Sequence, residues 1–157
     1  MHERMERQFS ILKLYIPIRG HILDDLEDGD LDFEQDKLGR LSDIFIQLGE
    51  WQAAYLAGFR TFTQDFSYRN DVPEREKSLA LLRAWYDGMD EEIEAAIEAM
   101  SAEDIENRGI ERGGWQASVE WNLRIWQECL LIFYTKATFY FKLMGKELPD
   151  SLVKWIE

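Results

Sequence analysis

Apolar residues recur along this chain at intervals of three and four, the spacing that aligns one face of an α-helix. The first such stretch runs from His2 to Leu26. Met5, Phe9, Leu12, Ile16, Leu23 and Leu26 form one stripe, and Ile11, Tyr15, Ile18 and Ile22 a second. Pro17 lies inside the pattern, where it removes a backbone donor and crowds the carbonyl of Lys13, so a kink or register change is expected there. Asp24 to Asp32, with Gly29, reads as an acidic loop. A second helix is predicted from near Leu41 to near Phe62, with Leu41, Ile44, Leu48, Trp51, Tyr55 and Phe59 as its apolar face. Thr61 to Asn70 reads as a polar connection. The third helix has the clearest start signal: Asp71 as cap, Pro73 in the first turn, and Glu74 and Glu76 at the positive end of the dipole. Leu79, Leu82, Tyr86, Met89, Ile93, Ala96 and Met100 continue it.

Ser101-Ala102-Glu103-Asp104 resembles a further cap followed by one short turn, and Ile105 to Trp115, with Gly109, Gly113 and Gly114, reads as loop or hairpin. The last long helix covers Ser118 to Met144 and stops at Gly145, with Pro149 beyond. It is apolar nearly all round, from Trp121, Ile125 and Trp126 to Phe139, Tyr140 and Phe141. Such a helix is either central or packed on a second molecule. Pro149 to Ile156 fits a closing turn. Four long amphipathic segments without a strand run predict an all-α four-helix bundle, one domain over 1–157, with a short extra turn before the last long helix. The second link looks short and the third longer, which permits a crossover.

Composition narrows the partners. With 46% hydrophobic and 13% aromatic residues, the 157-residue chain is too apolar for disorder and long enough to bury a core. Thirty-one acidic against 18 basic residues give a formal charge of −13. That balance disfavours nucleic acid, whose affinity comes from Lys and Arg on phosphates, and an anionic membrane surface. One cysteine, Cys129, forbids an intramolecular disulfide. The charged N-terminal residues lack a signal-peptide core, and Leu123 to Met144 is interrupted by Arg124, Gln127, Glu128, Lys136 and Lys142, so a cytoplasmic protein is expected.

Candidate chemistry is sparse. Metal-binding bundles place histidines three or four residues apart on one face, but the only histidines are His2 and His21. A zinc site would rest on carboxylates, which zinc does not favour alone. Glu91, Glu92, Glu94 and Glu98 fit a solvated face. Glu50 and Glu128 stand in apolar sequence; buried, either carboxyl would have a raised pKa and serve as acid or base. Cys129 lies among Trp126, Leu130 and Phe133 with no histidine near in sequence, as an inert thiol does. The cluster Trp115, Trp121 and Trp126 suits a core or an interface.

Three stretches carry a family likeness. Leu41-Ser42-Asp43-Ile44-Phe45-Ile46-Gln47-Leu48-Gly49-Glu50, the helix Leu82 to Glu103 with its following turn, and Phe139-Tyr140-Phe141-Lys142-Leu143-Met144-Gly145 with Pro149 beyond resemble the second helix, third helix and closing pattern of the DinB-like superfamily of four-helix bundles. The superfamily includes YfiT-like proteins and thiol-dependent transferases. The resemblance covers nearly the whole chain and implies a site of three histidines holding a divalent metal. Aligned on the closing pattern, those positions fall on Cys129, Phe133 and Gln47 or its neighbour. The expectation is therefore a divergent member without metal or cofactor, with Gln47, Glu50, Trp126, Cys129 and Phe133 at a vestigial pocket. It would bind a small apolar molecule, a partner protein or its own copy as a homodimer. The alternative is a transferase or hydrolase using Glu50 or Glu128 as base.

Overall fold

The computed structural model describes residues 2–156, with side chains through Lys154; Met1 and Glu157 lie outside the described residues. Four long helices dominate: α1 (Glu3–Asp24), α2 (Leu41–Thr61), α3 (Leu79–Glu98) and α5 (Val119–Met144). Between them lie the short helix α4 (Ala102–Asn107) and two small hairpins, β1 (Glu34–Gln35) with β2 (Gly39–Arg40), and β3 (Gly109–Arg112) with β4 (Trp115–Ser118). A last helix, α6 (Asp150–Ile156), closes the chain. The all-α architecture follows the apolar periodicity closely.

Side chains satisfy the exposed amides at most helix starts. His2 caps α1, Ser78 caps α3, Ser101 caps α4 in a reciprocal box with Asp104, and Ser118 caps α5. Gly145 ends α5 with φ 70°, where a side chain would be strained. Gly113 and Gly114, with φ 55° and 93°, form the two-residue turn joining β3 to β4. Backbone bonds Gln64 N–H to Glu111 O and Glu111 N–H to Phe62 O stitch this hairpin onto the end of α2.

Two expectations need correction. Asp71 and Pro73 do not open α3. Asp71 lies before a 3-10 turn over Pro73–Lys77 that Pro73 opens, and the α-helix begins after Ser78. Proline at a first turn fits a 3-10 turn as well as an α-helix, which is why the signal misleads. α1 continues through Pro17, an exposed residue, and its buried set changes spacing there, from Met5, Phe9 and Leu12 to Ile18, Ile22 and Leu23. The crossover lies between α2 and α3, not after α3.

That topology can be read from contacts. Gln8 and Tyr15 on α1 meet Gln127 and Tyr134 on α5 in the same order, so these two helices are parallel. Phe45 and Gln52 on α2 meet Tyr86 and Asp90 on α3 in the same order, a second parallel pair. α1 runs antiparallel to α3 through Lys13–Glu94 and Arg83–Asp24, and α2 antiparallel to α5 through Tyr55–Trp126 and Phe45–Phe133. The helices form a ring in the order α1, α3, α2, α5. Residues 62–78 carry the chain back to start α3 alongside α2. Their shared core includes Met5, Phe45, Leu48, Tyr86, Ile97, Leu123 and Phe141, all at most 1% exposed.

Candidate functional site

The positions singled out in sequence lie along the seam between α2 and α5, and side chains fill it. Phe133 is buried edge-on to Phe45, ring centroids 5.1 Å apart. Trp126 is fully buried against Tyr55 at 5.5 Å, its indole N–H without a hydrogen-bond partner among the described residues. Cys129 is half-buried, with Sγ 3.8 Å from the Tyr55 hydroxyl. Burial pushes this thiol upward, and the Tyr55 hydroxyl and Arg112 only partly oppose it, so it is a poor nucleophile. Gln47 accepts a hydrogen bond from Lys136 Nζ at 2.7 Å, and the same ammonium lies over the Trp51 ring.

The two carboxylates part company. Glu50 is half-buried and accepts the backbone N–H of Asn70 at 2.9 Å, anchoring the 62–78 crossover to α2. Glu128 is exposed and pairs with Arg124 one turn earlier at 3.5 Å. The seam thus brings Gln47, Trp126, Cys129 and Phe133 into line, while Glu50 serves a loop and Glu128 faces outward. Among the described residues, no three His, Cys, Asp or Glu side chains gather as a metal-binding group.

A buried polar cluster escaped the sequence reading. Arg19 of α1, only 2% exposed, donates to Gln52 Oε1 of α2 at 3.1 Å and to Asp90 Oδ2 of α3 at 2.5 Å. Gln52 Nε2 donates to Asp90 Oδ1 at 2.7 Å, and the guanidinium stacks over Tyr86. Burial pushes the Asp90 carboxyl above its ordinary range, although Arg19 and Gln52 oppose that. Every member is engaged, so the cluster acts as a tie across three helices. The one signal in sequence was polarity at core positions: Arg19 and Gln52 each fall on their helix's apolar stripe.

Two clefts flank α6. One of about 940 Å³ is lined by Pro17, His21, Asp24, Lys146, Pro149 and Ser151. Within it His21 Nδ1 lies 2.9 Å from Ser151 Oγ, tying α1 to α6, while Asp24 is engaged by Arg83. The other, about 350 Å³, is an apolar groove along α5 formed by Leu131, Tyr134, Thr138, Phe139 and Leu152.

The groove adjoins the most distinctive surface of the molecule. On the solvent side of α5, Trp121 is 39% exposed, Ile132 49%, Phe139 57% and Leu143 47%, with half-buried Ile125 between them. At 3.6 residues per turn these five fall on one line along the helix, opposite Leu123, Leu130, Phe133 and Ala137 in the core. Leu131 lies on its flank, 39% exposed. Apolar periodicity on both faces of α5 is what made this helix read as apolar all round. Searches against protein-family models, curated proteins and solved structures find no match to the chain.

Proposed function

We propose that this protein is a divergent DinB-like bundle that works as a protein-interaction module, binding through the outer face of α5. The apolar line from Trp121 to Leu143 carries the reading. Continuous exposed apolar surface opposes solubility unless something covers it, and aromatic residues are enriched at interface cores. The filled α2–α5 seam supports the second half of the proposal. Where the resemblance implies three histidines, this chain has an amide held by a lysine, a thiol with raised pKa and a buried ring. A phenyl ring cannot coordinate a cation. On this reading the ancestral site has become core.

The test is site-specific photo-crosslinking in the cells that make the protein. A photoreactive residue at 132 or 139 gives a discrete adduct whose site maps to α5, whereas the same group at Leu81, 42% exposed on the outside of α3, gives none. Equal, diffuse labelling from all three positions would overturn the proposal. A second reading, capture of a small apolar molecule, is favoured by the groove beside Phe139 rather than by the seam. It predicts that Thr138→Trp, which fills the groove, abolishes a ligand-induced rise in melting temperature.

A further inference from the structure

The outer line of α5 is symmetric about Ile132. Trp121 and Leu143 are equidistant from it in sequence, and so are Ile125 and Phe139. The nearest charged neighbours of the line follow the same rule: Glu128 and Lys136 stand at equal distances on either side. This pattern has a specific geometric meaning. When two copies of one helix pack antiparallel about a two-fold axis, each residue meets the residue equally far on the other side of the axis. With the axis at Ile132, Trp121 meets the partner's Leu143 and Ile125 meets the partner's Phe139. Glu128 stands level with the partner's Lys136, so the pairing is complementary in charge.

We infer that the occupant of the α5 face is a second copy of this chain, joined by an antiparallel α5–α5 contact whose two-fold axis passes through Ile132. This deepens the interaction reading above and rests on it. Three observations support self-pairing over another partner. Apolar residues stand at mirrored positions about Ile132 and opposite charges at Glu128 and Lys136, so an antiparallel self-contact gives every position of the line a compatible partner. The contact line from Trp121 to Leu143 spans roughly 33 Å at 1.5 Å per residue, the full length of one side of the bundle. Finally, α5 carries Arg124, Lys136 and Lys142 against Glu120 and Glu128, a slight positive excess in a chain of charge −13. Two strongly acidic molecules meet with least repulsion on such a face. The groove beside Phe139 widens the contact by receiving side chains that flank the partner's Ile125.

In the monomer Lys136 already donates to Gln47, and Glu128 already pairs with Arg124. Glu128 is exposed beside Arg124 and Lys136 lies at the α2–α5 seam, so in the dimer each shares its charge between its present partner and the new one. Parallel packing would instead set Glu128 against the partner's Glu128 and Trp121 against the partner's Trp121, leaving the charges unmatched.

Cysteine cross-linking tests the geometry on the full chain, with Cys129→Ser removing the native thiol. Antiparallel helices about 9 Å apart bring the two Ile132 Cα atoms within disulfide range. Ile132→Cys is expected to oxidise to a covalent dimer. Leu143→Cys alone stays monomeric on a non-reducing gel, and a mixture of Trp121→Cys with Leu143→Cys chains cross-links. Independently, at about 0.5 M salt, where the repulsion between the two acidic bodies is screened, Glu128→Lys weakens the dimer about threefold in sedimentation equilibrium, and adding Lys136→Glu, which also restores the net charge, restores association. Cross-linking of Leu143→Cys alone, or no recovery in the double variant, overturns the antiparallel two-fold. A monomer at about 100 μM overturns self-pairing. If the photo-adducts at 132 and 139 contain a different protein, self-pairing fails while the interaction reading stands. If no adducts form, both fail.

Discussion

Arg19 is the residue on which the inner packing turns. Its guanidinium has left water to bind Asp90 and Gln52 and to stack on Tyr86. A buried ion pair adds little net stability, because desolvation offsets attraction, but removing one partner strands the other charge at a cost of about 3–5 kcal/mol. Arg19→Met is therefore expected to lower the unfolding free energy by about 3 kcal/mol in urea titrations at neutral pH. The double variant Arg19→Met with Asp90→Leu recovers most of that loss. The single variant also carries a pH signature. Burial already pushes the Asp90 carboxyl up, and without the guanidinium nothing cationic opposes it. Its folded pKa then lies further above the unfolded value of 3.8, so the folded state takes up a proton first as pH falls. The deficit relative to wild type is largest at high pH and narrows as pH descends through that folded pKa. A deficit that stays constant from pH 8 to pH 5 would mean that Asp90 is not the stranded charge.

At the scale of elements, the parallel pairing of α2 and α3 depends on one missing side chain. A Cβ at Gly49 would lie 2.1 Å from Trp85 Cζ3, well inside contact distance, so the indole rests directly on the α2 backbone. Trp85 is in turn clamped by Arg75, whose guanidinium lies 4.4 Å from its ring and whose own partner Asn70 is bonded to Glu50. The tryptophan cannot swing away without loosening the crossover. Gly49→Ala improves helix propensity by up to about 1 kcal/mol, yet overpacking costs about 1–3 kcal/mol, and here the clash is with a rigid ring. The variant is expected to lose about 2 kcal/mol, with Trp85 fluorescence shifted, and Trp85→Leu in the same chain should relieve it. Stability equal to wild type would show that the ring has room. The contrast marks what the sequence discloses. Helix bounds are legible because apolar spacing and Ser or Gly caps act locally, as at Ser118 and Gly145. Gly49 and Trp85, or Arg19, Gln52 and Asp90, reveal their roles only once distant segments meet. The positions singled out by the likeness fall mostly along one seam, but motif positions do not say whether the side chains there leave a cavity or fill it. The outer line of α5 was present in the pattern, yet periodicity alone cannot tell which of two apolar faces points to water.

For the whole molecule, net charge and local pairing make opposite demands on self-association. Two bodies of charge −13 brought to roughly 40 Å between centres repel by ~18 kcal/mol if treated as unscreened point charges in water. The two symmetry-related Glu128–Lys136 pairs return only about 0.2–1 kcal/mol each at a partly exposed seam. Repulsion wins by magnitude, and the apolar line from Trp121 to Leu143 must overcome it. Salt separates the two contributions. Raising ionic strength from about 0.01 M to 0.15 M shortens the Debye length from about 30 Å to about 8 Å, which screens the long-range repulsion far more than a contact pair. Dimerisation is therefore expected to tighten at least about threefold over that range in sedimentation equilibrium. The same logic ranks the variants: Phe139→Glu weakens the dimer twice over, by removing apolar area and by adding charge, whereas Phe139→Lys loses the area but relieves some repulsion. At low salt the lysine variant should associate more strongly than the glutamate variant, and at 0.5 M salt the gap should close. Association that weakens as salt rises would mean that the contact is held by ion pairs rather than by the apolar face of α5.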